Sequence, residues 1–296
     1  MGKYLPVGVL GETNIAPESA TERSPVPMQI MTQSRSQFIA ITIAASLALL
    51  EPTAQAQEGT RVAPTEAPKQ DRNHVIVGLG AAYAPAYEGA DKYRSLPIPA
   101  IDVQWGPFFV DLRNGVGINI VDTDFVTVGT SLMFMPGYRR EDAPQGIGKL
   151  SNGAGGRLFV SLKGGGFVAT FGGTKGVSGG TKGTVADASL SYPITVTPRL
   201  TLIPSIGTTW ADAKHNNRYF GVDAEQSFAS GLPQFAPGSG IKDASAMISA
   251  SYRLTDHFIL GAAAGATTLL NNVKDSPIVF HRNAQPVGFV SVSYLF

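Results

Sequence analysis

Val287-Gly-Phe-Val-Ser-Val-Ser-Tyr-Leu-Phe296 ends the chain, with Val290, Val292, Tyr294 and Phe296 alternating against Ser291 and Ser293. Successive side chains of a β-strand point to opposite faces, so this pattern describes a strand with one apolar and one small, polar face. The same period recurs upstream. Val75, Val77, Leu79, Ala81 and Tyr83 are separated by smaller residues that include Gly78 and Gly80. Leu158, Val160 and Leu162 interleave with Arg157, Ser161 and Lys163, and residues 244–254 alternate in the same way. About twelve such runs of roughly 7–11 residues fill residues 74–296, the length of a tilted membrane-crossing strand. No helical period is read beyond His74.

Alternation alone does not separate a soluble β-sandwich from a membrane barrel, because both bury one face. Three features favour the barrel. The non-apolar face carries mostly Gly, Ser, Thr and Asn, whereas a solvated face would carry more Lys and Glu. Short connections (106, 122–124, 164–165, 193–199, 255–256) alternate with long ones (84–95, 136–155, 174–182, 211–243, 268–286), apart from a short turn at Asn114. This is the asymmetry between periplasmic turns and external loops. On the outward parity, Trp105, Phe108, Tyr192, Phe258, Tyr294 and Phe296 fall at the short-turn end and Tyr83 and Trp210 at the long-loop end, where interfacial aromatic girdles belong. The expected fold is all-β, a transmembrane antiparallel up-and-down β-barrel of about 12 strands. Its even strand number returns both termini to one side.

Composition agrees. Only 15% of the 296 residues are charged, 34 are glycine and the formal net charge is +1, against about 25% charged and about 7% glycine in soluble domains. Such a charge balance gives no electrostatic case for nucleic acid. The absence of cysteine excludes disulfides, thiolate metal sites and a lipidated N-terminal cysteine. The apolar run 38–50 is shorter than the about 20 residues of a membrane helix. Followed by Ala54-Gln-Ala56, it reads as a secretory signal cleaved after Ala56. The expected organisation is an over-extended reading frame at 1–27 (with Met28 or Met31 the natural start), a signal peptide at 28–56, a flexible periplasmic leader at 57–73 and the barrel at 74–296.

At Gly78-Leu-Gly-Ala-Ala-Tyr-Ala-Pro-Ala-Tyr-Glu-Gly-Ala-Asp-Lys-Tyr-Arg94, followed by Pro97-Ile-Pro99, the sequence resembles the opening of the MipA/OmpV family. Gly115-Val-Gly117, Gly155-Gly-Arg157, Tyr219-Phe-Gly-Val222, Asp275-Ser-Pro-Ile278 and the terminal aromatic extend the resemblance across residues 74–296. Ala90 departs from the serine of many relatives. The resemblance implies a Gram-negative outer-membrane barrel in contact with outer-membrane lipid. It also implies a structural scaffold joining a lytic transglycosylase to a penicillin-binding protein during peptidoglycan growth. Relatives are also discussed as channels or adhesins.

The residues themselves give no catalytic assignment. The four histidines (74, 215, 257, 281) are isolated, and no nucleophile elbow, zinc-protease motif or phosphate-binding glycine loop is present. His215 could meet Asp212 but reads as a solvated loop residue. No enzyme, metal or cofactor is expected. Asp111, Arg113, Arg157, Lys163, Asp187 and Arg253 share the inward parity. Either opposite charges pair to fill the barrel, the favoured reading, or they form a constriction that selects small solutes. Tyr87-Glu88-Gly89, Tyr219-Phe220 and Asp275-Ser276-Pro277 map to the long-loop rim. There they either order the loops, the favoured reading, or bind a ligand or cap a pore. Three functions are compatible with the sequence: a scaffold (from the resemblance alone), a narrow channel (from the inward charges) and a surface adhesin (from the length of loop 211–243).

Overall fold

The structure, a computed structural model, describes residues 73–280 and 284–296. Residues 1–27, the expected signal peptide, the leader apart from Asn73, and His281 lie outside the described residues. The strands are β1 (His74–Pro85), β2 (Tyr93–Trp105), β3 (Phe108–Asp111), β4 (Gly115–Asp122), β5 (Val126–Met135), β6 (Gly153–Gly164) and β7 (Phe167–Ser178). They continue with β8 (Thr184–Ser191), β9 (Ile194–Thr197), β10 (Leu200–Ala211), β11 (Gly240–Arg253), β12 (Phe258–Leu269) and β13 (Gln285–Leu295).

Every consecutive pairing is antiparallel, and the last strand meets the first, from Ile76↔Leu295 to Tyr83↔Gly288. The sheet therefore closes. In hydrocarbon no water is available for an open edge, so closure is what makes a spanning sheet tolerable. The thirteen segments occupy twelve wall positions. β8 pairs with β10 as far as Ser191↔Ser205, and β9 resumes on the same strand at Ile194↔Leu202. Between them lies Pro193, which has no N–H to give the ladder. The structure is a closed 12-strand antiparallel barrel.

Outward positions carry the band expected to face lipid: Leu79, Leu158, Ile206 and Val290 are 59–75% exposed. The girdle residues Trp105, Phe108, Tyr192, Phe258 and Phe296 at one end, and Tyr83 and Trp210 at the other, also lie exposed. Inside, large side chains lie over glycines of neighbouring strands. A methyl group on Gly80 would meet the Phe289 ring at 2.6 Å, and one on Gly117 the Phe109 ring at 2.8 Å. Gly129 lies under Phe159, Gly172 under the Arg157 guanidinium and Gly265 under Met247. Each pair divides a limited volume unequally, which accounts for much of the inward glycine. One side of the lumen gathers Ile76, Ala100, Met247, Ile259, Val287 and Phe289 into an apolar cluster.

Three expectations need correction. The connection expected over 174–182 is short: β7 continues to Ser178 and β8 starts at Thr184. Glycines 172, 173 and 176 had hidden the alternation there. The turn expected over 193–199 contains β9. Finally, loop 211–243 holds two helices, α1 (Ala213–Phe220) and α2 (Ala224–Ser230), and Asn271–Asp275 forms a 3-10 turn. Helices of seven or eight residues give barely two turns of period. Their legible signal is at the caps, where Asp212 starts α1 and Asp223 with Gln226 forms a capping box on α2.

Gly129→Val should destabilise the barrel by about 1–3 kcal/mol through overpacking against Phe159. Phe159→Ala in the same chain should recover part of that loss, as read from urea unfolding midpoints in lipid vesicles.

Candidate functional site

The connections 86–92, 136–152, 212–239 and, among the described residues, 270–280 leave the same end of the barrel and fold into one another. Tyr87, Tyr138, Ile147, Tyr219, Phe220, Val222, Val273 and Ile278 are among the residues of a single buried cluster above the strands. The Tyr138 ring lies 5.4 Å from Tyr87 and 5.5 Å, edge-on, from Tyr219. Burial raises the Tyr138 phenol to about 12 and pushes Tyr87 well above the ordinary phenol range, with Asp91, Tyr138 and Asp142 adding to the latter shift.

Hydrogen bonds fix the loops to one another. The Tyr87 hydroxyl donates to the Ile278 carbonyl at 2.7 Å, and the Ser276 hydroxyl to the Phe220 carbonyl at 2.5 Å. Gln285 clamps the first loop: its Oε1 accepts from the Gly89 N–H and its Nε2 donates to the Ala90 carbonyl. Gly89 has φ +93°, with Val279 packed where a Cβ would project. Only glycine satisfies both conditions at little cost. The α2 helix joins through Gln226, whose Nε2 donates to the Ile147 carbonyl at 2.9 Å.

Beneath this cap sits a buried charge cluster. Lys242 Nζ lies 2.6 Å from Glu88 Oε2 and 2.8 Å from Asp243 Oδ2, and all three side chains are at most 4% exposed. Lys242 and Asp243 both point inward because the β10–β11 register shifts: Thr209 faces Asp243 while Trp210 faces Ile241. A bulge of this kind sets two successive side chains on one face. At the rim, Arg94 pairs with Asp142. Burial nevertheless holds the Asp142 carboxyl above its ordinary value, with Arg94 opposing the shift.

Lower in the barrel, Arg157 makes a two-pronged pair with Asp187, at 2.6 and 3.0 Å, and also touches Asn114 and Thr174. Of the six inward charges singled out in the sequence, these two meet. Asp111 accepts from the Asn114 N–H and closes the β3–β4 turn. Lys163 donates to Thr127. Arg113 is buried beside that turn, and Arg253 stands at the short-turn end, where its N–H donates to the Arg199 carbonyl.

The family model described as "MltA-interacting protein MipA" matches residues 77–296. The chain belongs to the MipA family. The outer membrane protein YiaT of Escherichia coli K12 is 30% identical over 33% of this chain and 39% of its own length. The 24 kDa outer membrane protein of Pasteurella multocida Pm70 is 26% identical over 40% of this chain and 45% of its own. The chain thus aligns with less than half the length of these relatives. Among solved structures, an outer membrane channel from Pseudomonas putida F1 has a TM-score of 0.45 and 11% identity, covering 80% of this chain and all of that one. The KdgM porin has a TM-score of 0.40 and 10% identity, covering 75% of this chain and 99% of that one. Like its relatives, this MipA-family barrel is a Gram-negative outer-membrane protein.

The rim motifs of this MipA-family chain converge, though unequally. Tyr87, Glu88, Gly89, Tyr219, Phe220 and Ser276 are buried in the cap; Pro277 is half-buried and Asp275 exposed. His215 is a correction. It is fully buried, stacks on Tyr219, and its Nδ1 lies 3.0 Å from the Thr181 hydroxyl. Asp212 meets the His215 backbone N–H at 2.7 Å and caps α1. Lys242 was missed because a bulge cannot be read from a period of two. In the sequence its partner Glu88 is legible only as part of the Tyr87-Glu88-Gly89 loop motif.

Lys242→Met leaves the Glu88 carboxylate without its closest counter-charge, at a cost of about 3–5 kcal/mol for a broken buried pair. Trypsin should then cleave within 212–239, and Glu88→Gln in the same chain should restore part of the protection. The Asp212 carboxyl is also sensitive to acid. Burial alone would raise its pKa, but donors on His215 and Thr184, with Lys175 nearby, hold it below its ordinary 3.8. A depressed pKa stabilises above the unfolded value, so this contribution should be present at pH 5 and fade as pH falls through the native pKa. Asp212→Ala should loosen α1 by about 1 kcal/mol at neutral pH, read as faster amide exchange at His215.

Proposed function

We propose that this MipA-family barrel is a closed, non-enzymatic structural element of the outer membrane, not a solute channel. Its short-turn end holds a lytic transglycosylase and, through it, a penicillin-binding protein. The observation that carries this reading is the cap. Four loops bury a shared apolar cluster and a charge cluster across the end through which a solute would enter. A channel would need that packing to open. The family description, which names an interaction with MltA, supports the partner class.

Such a partner lies on the periplasmic side, away from the cap. Two elements face it. The leader joins the barrel at Asn73, whose side chain accepts from the Gly106 N–H in the first turn at 2.7 Å. Strand β9 pairs only with β10 among the described residues, and Ile194 and Val196 are exposed on it. A free edge of this kind accepts an added strand from a partner.

The wild-type protein in planar bilayers should give no stepwise conductance, and immobilised protein should retain a lytic transglycosylase. Removal of residues 58–71 together with Val196→Pro should weaken that capture at least tenfold while the barrel stays folded. Stepwise openings altered by Arg157→Gln would favour the channel. Undiminished capture by the altered chain would remove the proposed contact surface.

A further inference from the structure

A cleft of about 370 Å³ opens among the loops at the margin of the buried cap, against which its wall residue Leu150 packs. It is lined by Lys149, Leu150, Ser151, Gly179, Gly180, Lys182 and Arg218. Three of these residues are cations and none is an acid. The ion pairs elsewhere at this end of the barrel engage Arg94, Arg139, Lys175 and Lys242. None of the three cleft cations has a carboxylate partner among the described residues. The three side chains are exposed, so water screens their mutual repulsion, but together they set a positive field over one cavity that draws an anion. We propose that this cleft is a binding site for a phosphoryl group carried on a sugar-sized ligand.

The walls are built rather than incidental. Leu150 and Tyr138 exchange both backbone hydrogen bonds at 3.0 Å, and the Gly180 N–H donates to the Ser151 carbonyl at 3.0 Å. Arg218 sits in the last turn of α1, whose first turn packs against Gly183 so closely that a Cβ there would meet His215 and Asp212 at 2.5–2.6 Å. Lys182 holds φ +50° in a stretch otherwise supplied with glycines at 179, 180 and 183. A side chain in the left-handed region is strained, so the lysine is kept where glycine would relax the backbone.

Size and height define the ligand. The cleft exceeds the volume of a lone phosphate and reaches the lower range of small-molecule sites, about 300–1,000 Å³. Arg218 can clasp a phosphate by two parallel hydrogen bonds while the lysines act as point charges. The cleft begins at Gly179, directly after the last residue of β7, and Val177 on that strand still projects outward and exposed. The site thus stands just past the end of that wall strand, on the long-loop side of the Trp210 girdle position, which is level with Gly173 through Ala186. A phosphorylated glycolipid headgroup of the outer leaflet and a soluble sugar phosphate share the required chemistry.

Native mass spectrometry of the full chain in detergent separates the two sources, using bisphosphorylated lipid A, its dephosphorylated form and glucose 1-phosphate as probes. A glycolipid site should retain bisphosphorylated lipid A and lose the adduct at least tenfold on dephosphorylation. The variant K149Q/K182Q/R218Q should show the same loss. Retention of glucose 1-phosphate alone, lost in that variant, would assign the cleft to a soluble ligand and overturn the lipid source. Binding of no phosphorylated probe, or equal binding by the variant, would overturn the site. Lys182→Gly serves as the folding control: it should raise the thermal midpoint while weakening the adduct. A higher midpoint with an unchanged adduct would count against the proposal.

Discussion

Hydrocarbon supplies no hydrogen-bond partner to the backbone, and every level of this structure answers that constraint. A sheet with two free edges could not stay in the membrane, so β13 must return to β1. The register of that seam, Leu79↔Val292 and Ala81↔Val290, keeps the apolar side chains of both strands facing lipid. A slip by one residue would turn each strand's apolar set inward. Closure and parity are therefore one requirement. Even the interruption at Pro193 occurs where the wall approaches the short-turn end, beside the Phe167–Tyr192 aromatic pair, and not at mid-membrane.

Twelve positions enclose a small interior. Inward side chains compete for it, and the competition is settled between neighbours: Phe159 lies over Gly129, Arg157 over Gly172 and Met247 over Gly265. The charges follow the same economy of space. Arg157 and Asp187 neutralise each other within the wall layer, whereas the Glu88–Lys242–Asp243 cluster lies under the cap, where a loop and a bulged strand end converge.

The barrel was legible because the membrane enforces a period of two over most of each strand. Val75–Tyr83 and Val287–Phe296 display it openly, and the glycine-rich end of β7 conceals it. The cap was legible only as motifs. Tyr87-Glu88-Gly89 and Tyr219-Phe220 stood out, but nothing in the spacing of residues 131 apart could show that the Tyr219 hydroxyl reaches the Glu88 N–H. Shared parity put Arg157 and Asp187 among six inward charges, but parity and sign do not say which of them pair. The Lys242 contact depends on a local register shift and was invisible. His215 shows the opposite error. A loop histidine between Lys214 and two asparagines looked solvated, yet α1 turns that face into the cluster.

The unequal sharing of interior volume carries a further implication for how such a barrel diverges. Strand number sets the circumference, but the free bore is set pair by pair. Moving bulk from one partner to the other, or trimming both, would widen or narrow the passage locally while the hydrogen-bond ladder stayed untouched. A family built this way can regauge its interior without adding a strand.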